Sequence, residues 1–367
     1  MIKRVYIKAI SIIDSIIGEL HYAFERKGIL KTINYTIVKE FDEKVRVEHT
    51  YPINFDKKDK ALFDHCTGYD TNELIVYQLS NVNVGESGVV FKKFNNCWLS
   101  FPHTVFRAEY GWLYFLQQYL FRKKQIGDPN KTYVLLFDFW SAYNYYHFIV
   151  DTLPRLLMVK DELKDKKFSL LLPENCAKFV KAILAYFDIA DITYIKSGHY
   201  LSAQSLILPY YAAGSGHIHP IKLREIKKYL VEKVNLPSSK KLIYVSRSRQ
   251  KARLVINEKA IIECLLQFGF EVVHFEDYTF EEQVSIGKNA KIMVTSHGAN
   301  LTNSMFMEEN LKVLELIRAD KPNFCYWALC SVLNIKYHYQ LCKVVGNDHL
   351  LVDVELFKLN LQKLLND

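Results

Sequence analysis

The sequence predicts an α/β protein of two doubly wound, Rossmann-like domains facing a cleft, with a strand-rich elaboration at the N-terminal side. Two observations carry this. From Thr132 onward short apolar, β-branched runs alternate with helical stretches, the rhythm of a parallel sheet covered on both faces. Asn235–Lys241 (NLPSSKK) interrupts that rhythm and reads as a linker. A chain of 367 residues is long enough for two separate cores.

Taken in order, Ile2, Val5, Ala9, Ile12, Ile13, Ile16, Leu20 and Phe24 follow a helical period, with Arg4, Lys8, Ser11, Ser15 and Glu19 on the opposite stripe. Residues 1–27 are therefore expected to form an amphipathic helix, packed on its own domain or docked on the inner membrane surface. Lys8 and Asp14 break the apolar run and no small-residue cleavage site follows, unlike a signal peptide. The run also falls short of the roughly 20 apolar residues of a spanning helix. Residues 30–105 read as irregular strands (TINYTIVKE, KVRVEHT, LIVYQLSNVNV, GVVFKK, CWLSF) and Leu113–Lys124 as a helix.

The first alternating block runs through the strand Tyr133–Asp138, a long helix Tyr143–Leu163, FSLLLPE, the helix Ala177–Phe187, two further strands and the helix Ile221–Val234. The second runs from LIYVSRS through the helices Asn257–Phe268 and Thr279–Lys288 to KIMVTS, KVLELI, Phe324–Leu333 and IKYHYQLC. The expected division is 1–236 for an acceptor-side domain and 237–345 for a nucleotide-binding domain. A C-terminal helix in 346–367 is expected to pack back on the first domain.

The net charge of +8 (48 Lys and Arg less 40 Asp and Glu) favours an anionic ligand or an acidic lipid surface. The cations form no long run and match no nucleic-acid module, so no nucleic-acid partner is expected. Seven cysteines without a C-x-x-C pair read as reduced core residues of a cytoplasmic protein.

Three constellations carry chemistry. In SHGANLTNSMFMEENLKVLEL (Ser296–Leu316), a buried strand runs into the elbow His297, Gly298, Ala299, Asn300 and then a short helix. Unpaired N–H groups and the positive helix end there suit a phosphate. Glu315, on the next strand, is placed to accept hydrogen bonds from a ribose diol. In YNYYHFIVDTLPRL, Asn144, His147, Asp151 and Arg155 share one helical face, and Pro154 is expected to kink the helix. His147 and Asp151 could form a general-base pair; a solvated face with an Asp151–Arg155 pair is the plainer alternative. In YVSRSRQKARLVINE, Arg247, Arg249, Lys251 and Arg253 follow a strand end, where guanidinium forks can grip a diphosphate. P-loop and G-x-G-x-x-G motifs are missing, as is any Asp-x-Asp pair of the metal-chelating kind. His217 and His219 form an isolated H-x-H without evident further ligands.

The ordered trio NYYHFIVDTLPRL, YVSRSRQKARLVINE and SHGANLTNSMFMEENLKVLEL resembles glycosyltransferase family 61, over about residues 130–340. The resemblance is taken to the family's bacterial capsule and lipopolysaccharide branch. It implies a two-domain enzyme of the glycosyltransferase B type, usually inverting and metal-independent, with no cofactor beyond the nucleotide-sugar donor. Arg247 and Arg253 match the family's arginines near the diphosphate. His297, Gly298, Ala299 and Asn300 match its phosphate elbow, Asn303 its second asparagine, and Glu315 its glutamate toward the nucleoside. Asn144, His147 and Asp151 match the acceptor-side motif, with Arg155 on the same face. The implied partners are a nucleotide-sugar donor and a glycan or lipid-linked acceptor, at the cytoplasmic face of the inner membrane. Asp151 is the expected base, with His147 next in line. A non-catalytic nucleotide- or glycan-binding subunit of a polysaccharide assembly is the alternative from another class.

Overall fold

The computed structural model describes residues 33–64, 67–92, 95–96, 112–214, 216–234, 239–346 and 348–366. The expected amphipathic helix of residues 1–27, Cys66 and Cys97 lie outside them. The chain forms two compact units: Met1–Lys44 with Asn72–Ser215, and Val45–Thr71 with Gly216–Asp367.

The first unit is built on a mixed sheet, not a wholly parallel one. His199–Pro209 pairs in parallel with Thr132–Leu135 and Lys123–Ile126, and antiparallel with Leu74–Gly85. Phe168–Pro173 and Ile192–Ile195 extend the parallel side; Tyr35–Phe41, Val90–Lys92 and Asn95–Asn96 extend the antiparallel side. Most of the strand-rich elaboration is therefore half of this sheet. The reason is its alternation: Tyr77, Leu79, Val82 and Val84 bury into the same core as Tyr133, Leu135, Leu206 and Leu208.

The second unit has the doubly wound pattern. Its strands lie in the order Glu271–Val273, Lys241–Val245, Ala290–Ser296, Lys312–Arg318, Lys336–Val345, His349–Leu351. All neighbours are parallel except the last pair. The chain order reverses between Lys241–Val245 and Ala290–Ser296. In open parallel sheets of this kind, ligands bind outside the strand ends at that switch point.

Three segments sit differently from expectation. The C-terminal helix Val354–Asn366 packs within its own unit, against Glu258–Leu266 and Lys336–Val345, not on the first unit. Phe357, Leu361 and Leu364, spaced along one helical stripe, are fully buried with Ile292, Val294, Leu314 and Leu316. The helix Pro220–Glu232 also belongs to the second unit, so the chain divides after Ser215 and not at the expected linker. Leu223, Ile226 and Leu230 are buried; Arg224 donates to Val332 O (2.7 Å) and Lys227 to Met307 O (2.5 Å). Finally, Val45–Thr71 closes the open part of the edge strand Lys336–Val345. Ile53 N donates to Tyr337 O (2.9 Å), while the Asn54 amide donates to Tyr339 O (2.7 Å) and accepts from Tyr339 N (3.0 Å). Covering such an edge satisfies backbone groups that would otherwise template aggregation.

Among the described residues, no helix is long and apolar enough to cross a membrane.

Candidate functional site

In the first unit the long helix expected over Tyr143–Leu163 is broken into a turn Tyr145–His147, a π-helical turn Phe148–Thr152 and a helix Leu153–Leu157. Pro154 explains the break: it has no N–H for Val150 O, and Leu153 N bonds instead to Phe148 O, one residue further back than in an α-helix. Asn144 is spent on capping, its side chain accepting from Tyr146 N (3.0 Å) and His147 N (3.5 Å).

His147 and Asp151 do meet: Nδ1 lies 2.7 Å from Asp151 Oδ2. The His147 side chain is 17% exposed and that of Asp151 10%. Burial raises the Asp151 carboxyl above its ordinary range, against the opposing pull of His147. The Trp140 ring lies 4.7 Å from the imidazole, on a turn fixed by Asp138, whose Oδ1 accepts from Trp140 N and Ser141 N at 2.8 Å each.

Arg155, expected beside Asp151 on an open face, is 1% exposed and fully engaged elsewhere. It donates to Pro209 O (2.8 Å), Leu136 O (2.5 Å) and Leu135 O (3.2 Å), and its guanidinium lies over the Tyr211 ring at 4.2 Å. The π-turn rotates the residues beyond it about the helix axis, so the shared-face expectation fails at this fourth residue. Arg155 is a buried clamp on the carboxyl ends of two parallel strands. At 1% exposure its guanidinium is not presented to an acceptor.

In the second unit, the elbow and the arginines follow Ala290–Ser296 and Lys241–Val245, the two strands that flank the switch point. Thr295 Oγ1 donates to Val245 O (2.8 Å) and Ser296 Oγ to Arg253 O (3.3 Å), tying the two strand ends together. The Arg247 guanidinium rests against Gly298, where any Cβ would collide with it. Its Nε is buried and has no hydrogen-bond partner among the described residues. Burial, and then the like charge of Arg253, lowers the Arg247 pKa from its ordinary value. Arg253 adopts a left-handed backbone (φ 59°) and is ion-paired with Asp348 at 3.4 Å. Arg249 pairs with Asp277, and Lys251 is exposed. Two crowded cations beside backbone N–H groups suit an anion.

The other residues of this motif are not all open. Asn300 donates to Glu276 Oε1 (3.2 Å). Asn303 is fully buried and donates to Gln283 Oε1 (3.3 Å), so its amide is not presented at the elbow. Glu315 departs furthest from expectation. It is fully buried in mid-strand, opposite Thr295 and Tyr339. Alternation with Leu314 and Leu316 puts it on the sheet face away from their core. Its Oε1 meets His297 Nδ1, and its Oε2 accepts from Tyr337 OH at 2.6 Å. A ribose diol has no open oxygen to meet. Burial, then Glu315's charge, pushes the Tyr337 hydroxyl well above its ordinary value, so it remains a donor.

The H-x-H pair is used structurally. His217 stacks on Tyr69 (3.9 Å), and His219 is the N-cap of Pro220–Glu232, its Nδ1 accepting from Lys222 N. Sequence reasoning missed Tyr337, Glu276, Asp348 and Trp140. Trp140 alone had a local signal, as an aromatic seven residues before His147 at a strand end.

Residues 145–314 match the family model described as Glycosyltransferase 61. A stretch of 122 residues, 31% of this chain, is 27% identical to the EGF domain-specific O-linked N-acetylglucosamine transferase of Drosophila melanogaster, covering 23% of that protein. Over 103 residues, 26% of this chain, it is 31% identical to the human protein O-linked-mannose beta-1,4-N-acetylglucosaminyltransferase 2, covering 18% of it. The mouse counterpart is 30% identical over the same length. The chain thus spans about a fifth of the length of the curated relatives it matches. The family model and these relatives are alike described as glycosyltransferases. They do not support the bacterial capsular branch in particular, since the relatives named are animal proteins.

Proposed function

We propose that the protein transfers a sugar from a nucleotide-sugar donor to a hydroxyl of a glycan or glycolipid, by an inverting, metal-independent displacement. The observation that carries the proposal is the convergence of Arg247, Arg253 and the His297–Asn300 elbow at the switch point of the second unit. There the guanidinium groups and N–H dipoles would take the negative charge that builds on the departing diphosphate. In one in-line step the acceptor oxygen bonds to the anomeric carbon, the bond to the diphosphate breaks with its electron pair, and the acceptor proton passes to a base.

His147 is favoured as that base over the expected Asp151. It is the more exposed of the pair, and its Nδ1 is held by Asp151, which leaves Nε2 for the acceptor. A buried carboxylate orienting an imidazole is an effective base arrangement, worth roughly 10²–10⁴-fold. The names of the relatives make N-acetylglucosamine the first donor sugar to try. A role in surface polysaccharide synthesis rests on the motif resemblance, and contact with the inner membrane on the pattern of residues 1–27 alone.

The test is release of nucleoside diphosphate from a panel of nucleotide sugars, with and without acceptors and with a chelator present. Turnover should persist with the chelator and be lost in Arg253→Ala and His147→Ala. Binding without turnover across the panel would favour a non-catalytic binding subunit instead.

A further inference from the structure

The buried group Glu315 has no place in the reaction if its role is ribose recognition, because both carboxylate oxygens are taken. Its geometry assigns it another. The imidazole of His297 sits at the start of the elbow, 12% exposed, with Nδ1 on Glu315. The Tyr326 ring stands 5.1 Å from it at 64°, limiting its rotation. Its backbone N–H is fixed on Leu316 O (2.9 Å), so ring and main chain are both anchored to the strand that carries Glu315. Among the described residues Nε2 has no protein partner. A carboxylate on Nδ1 accepts that nitrogen's proton in a hydrogen bond, so the outward Nε2 is an acceptor in the neutral ring and a donor in the imidazolium, whose positive charge the carboxylate favours.

We propose that Tyr337, Glu315 and His297 form a relay whose output is the His297 imidazolium, with Nδ1–H donating to Glu315 and Nε2–H donating to the diphosphate of the nucleotide-sugar donor. Glu315 and Tyr337 are positioning residues. Tyr337 holds one oxygen so that the other remains aimed at His297, and the carboxylate keeps the proton on Nδ1 when Nε2 is also protonated. No bond to the imidazole forms or breaks, and the leaving electron pair stays on the diphosphate. The ribose must then be read by other groups. This inference rests on the donor site proposed above and changes the role of its glutamate.

The test measures binding of uridine, guanosine and adenosine 5′-diphosphates, and of the free nucleosides, by calorimetry on the full chain. The variants are Glu315→Gln and Tyr337→Phe. Diphosphate affinity should fall by roughly 10–100-fold in Glu315→Gln, taking as the scale the loss seen when the carboxylate behind a metal-ligating histidine is removed. It should fall less in Tyr337→Phe, and nucleoside affinity should hold in both. Tyr337→Phe keeps ring and carboxylate, so it carries the test if Glu315→Gln does not fold. Ring-nitrogen NMR of His297 should show Nδ1 losing its carboxylate partner in Glu315→Gln. An unchanged ring signal, or equal losses for nucleoside and diphosphate, overturns the relay. Failure of the wild-type protein to bind any diphosphate overturns the donor site and the relay together.

Discussion

Replacing Arg155 with lysine separates two accounts of the helix that carries His147 and Asp151. On an open face, Arg155 would pair with Asp151 four residues earlier, an interaction worth about 0.3–0.5 kcal/mol. In the structure it is 1% exposed and satisfies three carbonyls, at Leu135, Leu136 and Pro209. A lysine ammonium is a point donor and cannot reproduce a planar fork across two strand ends. At least two carbonyls would lose the guanidinium, and Leu136 O would keep only the long bond from Thr152 Oγ1 (3.4 Å). Each buried, unmet acceptor costs about 1–3 kcal/mol, so Arg155→Lys should destabilise by about 4 kcal/mol. For a unit of this size each kcal/mol shifts the melting temperature by roughly 2–4 °C, giving a drop of about 10 °C. The assay is urea and thermal unfolding followed by near-ultraviolet circular dichroism, which reports Trp140, Tyr211 and their neighbours. A loss below about 1 kcal/mol would refute the buried clamp and restore the exposed pair.

Two further outcomes are expected at the sites. Asp151→Asn should abolish transfer while stabilising the fold at neutral pH. Burial raises the folded carboxyl above its ordinary 3.8, so as pH rises the unfolded chain gives up its proton first and wild-type stability falls until the folded group ionises. The variant's advantage is therefore absent below that ordinary value and grows above it; denaturant titrations across pH that show no such trend would count against a buried ionising group. Gly298→Ala places a methyl on the Arg247 guanidinium. The flexible end of the arginine can swing away, so the cost should not exceed the roughly 1–3 kcal/mol of an overpacked rigid site. Nucleoside diphosphate affinity should nonetheless fall about tenfold, the equivalent of roughly 1.4 kcal/mol, and unchanged affinity would remove Arg247 from the phosphate grip.

Much of this protein was legible in its sequence because the signals are local. Strand–helix alternation, the elbow after KIMVTS, the arginines after LIYVS and the four-residue spacing of His147 and Asp151 are each written within a few turns of chain. Residue types at a strand end report chemistry without knowledge of the neighbours, and the family resemblance rests on those same segments. What needed tertiary structure was everything decided by partners distant in sequence. Strand order made Lys241–Val245 and Ala290–Ser296 neighbours and so defined the switch point. The π-turn before Pro154 and the carbonyls of Leu135, Leu136 and Pro209 turned Arg155 from an acceptor-side candidate into a clamp. The period of two along Lys312–Arg318, with Tyr337 arriving from the next strand, turned Glu315 inward to His297. A sequence shows which polar groups a segment carries; only packing determines which of them are already satisfied, and a group whose hydrogen bonds are spent inside the fold cannot also bind a substrate.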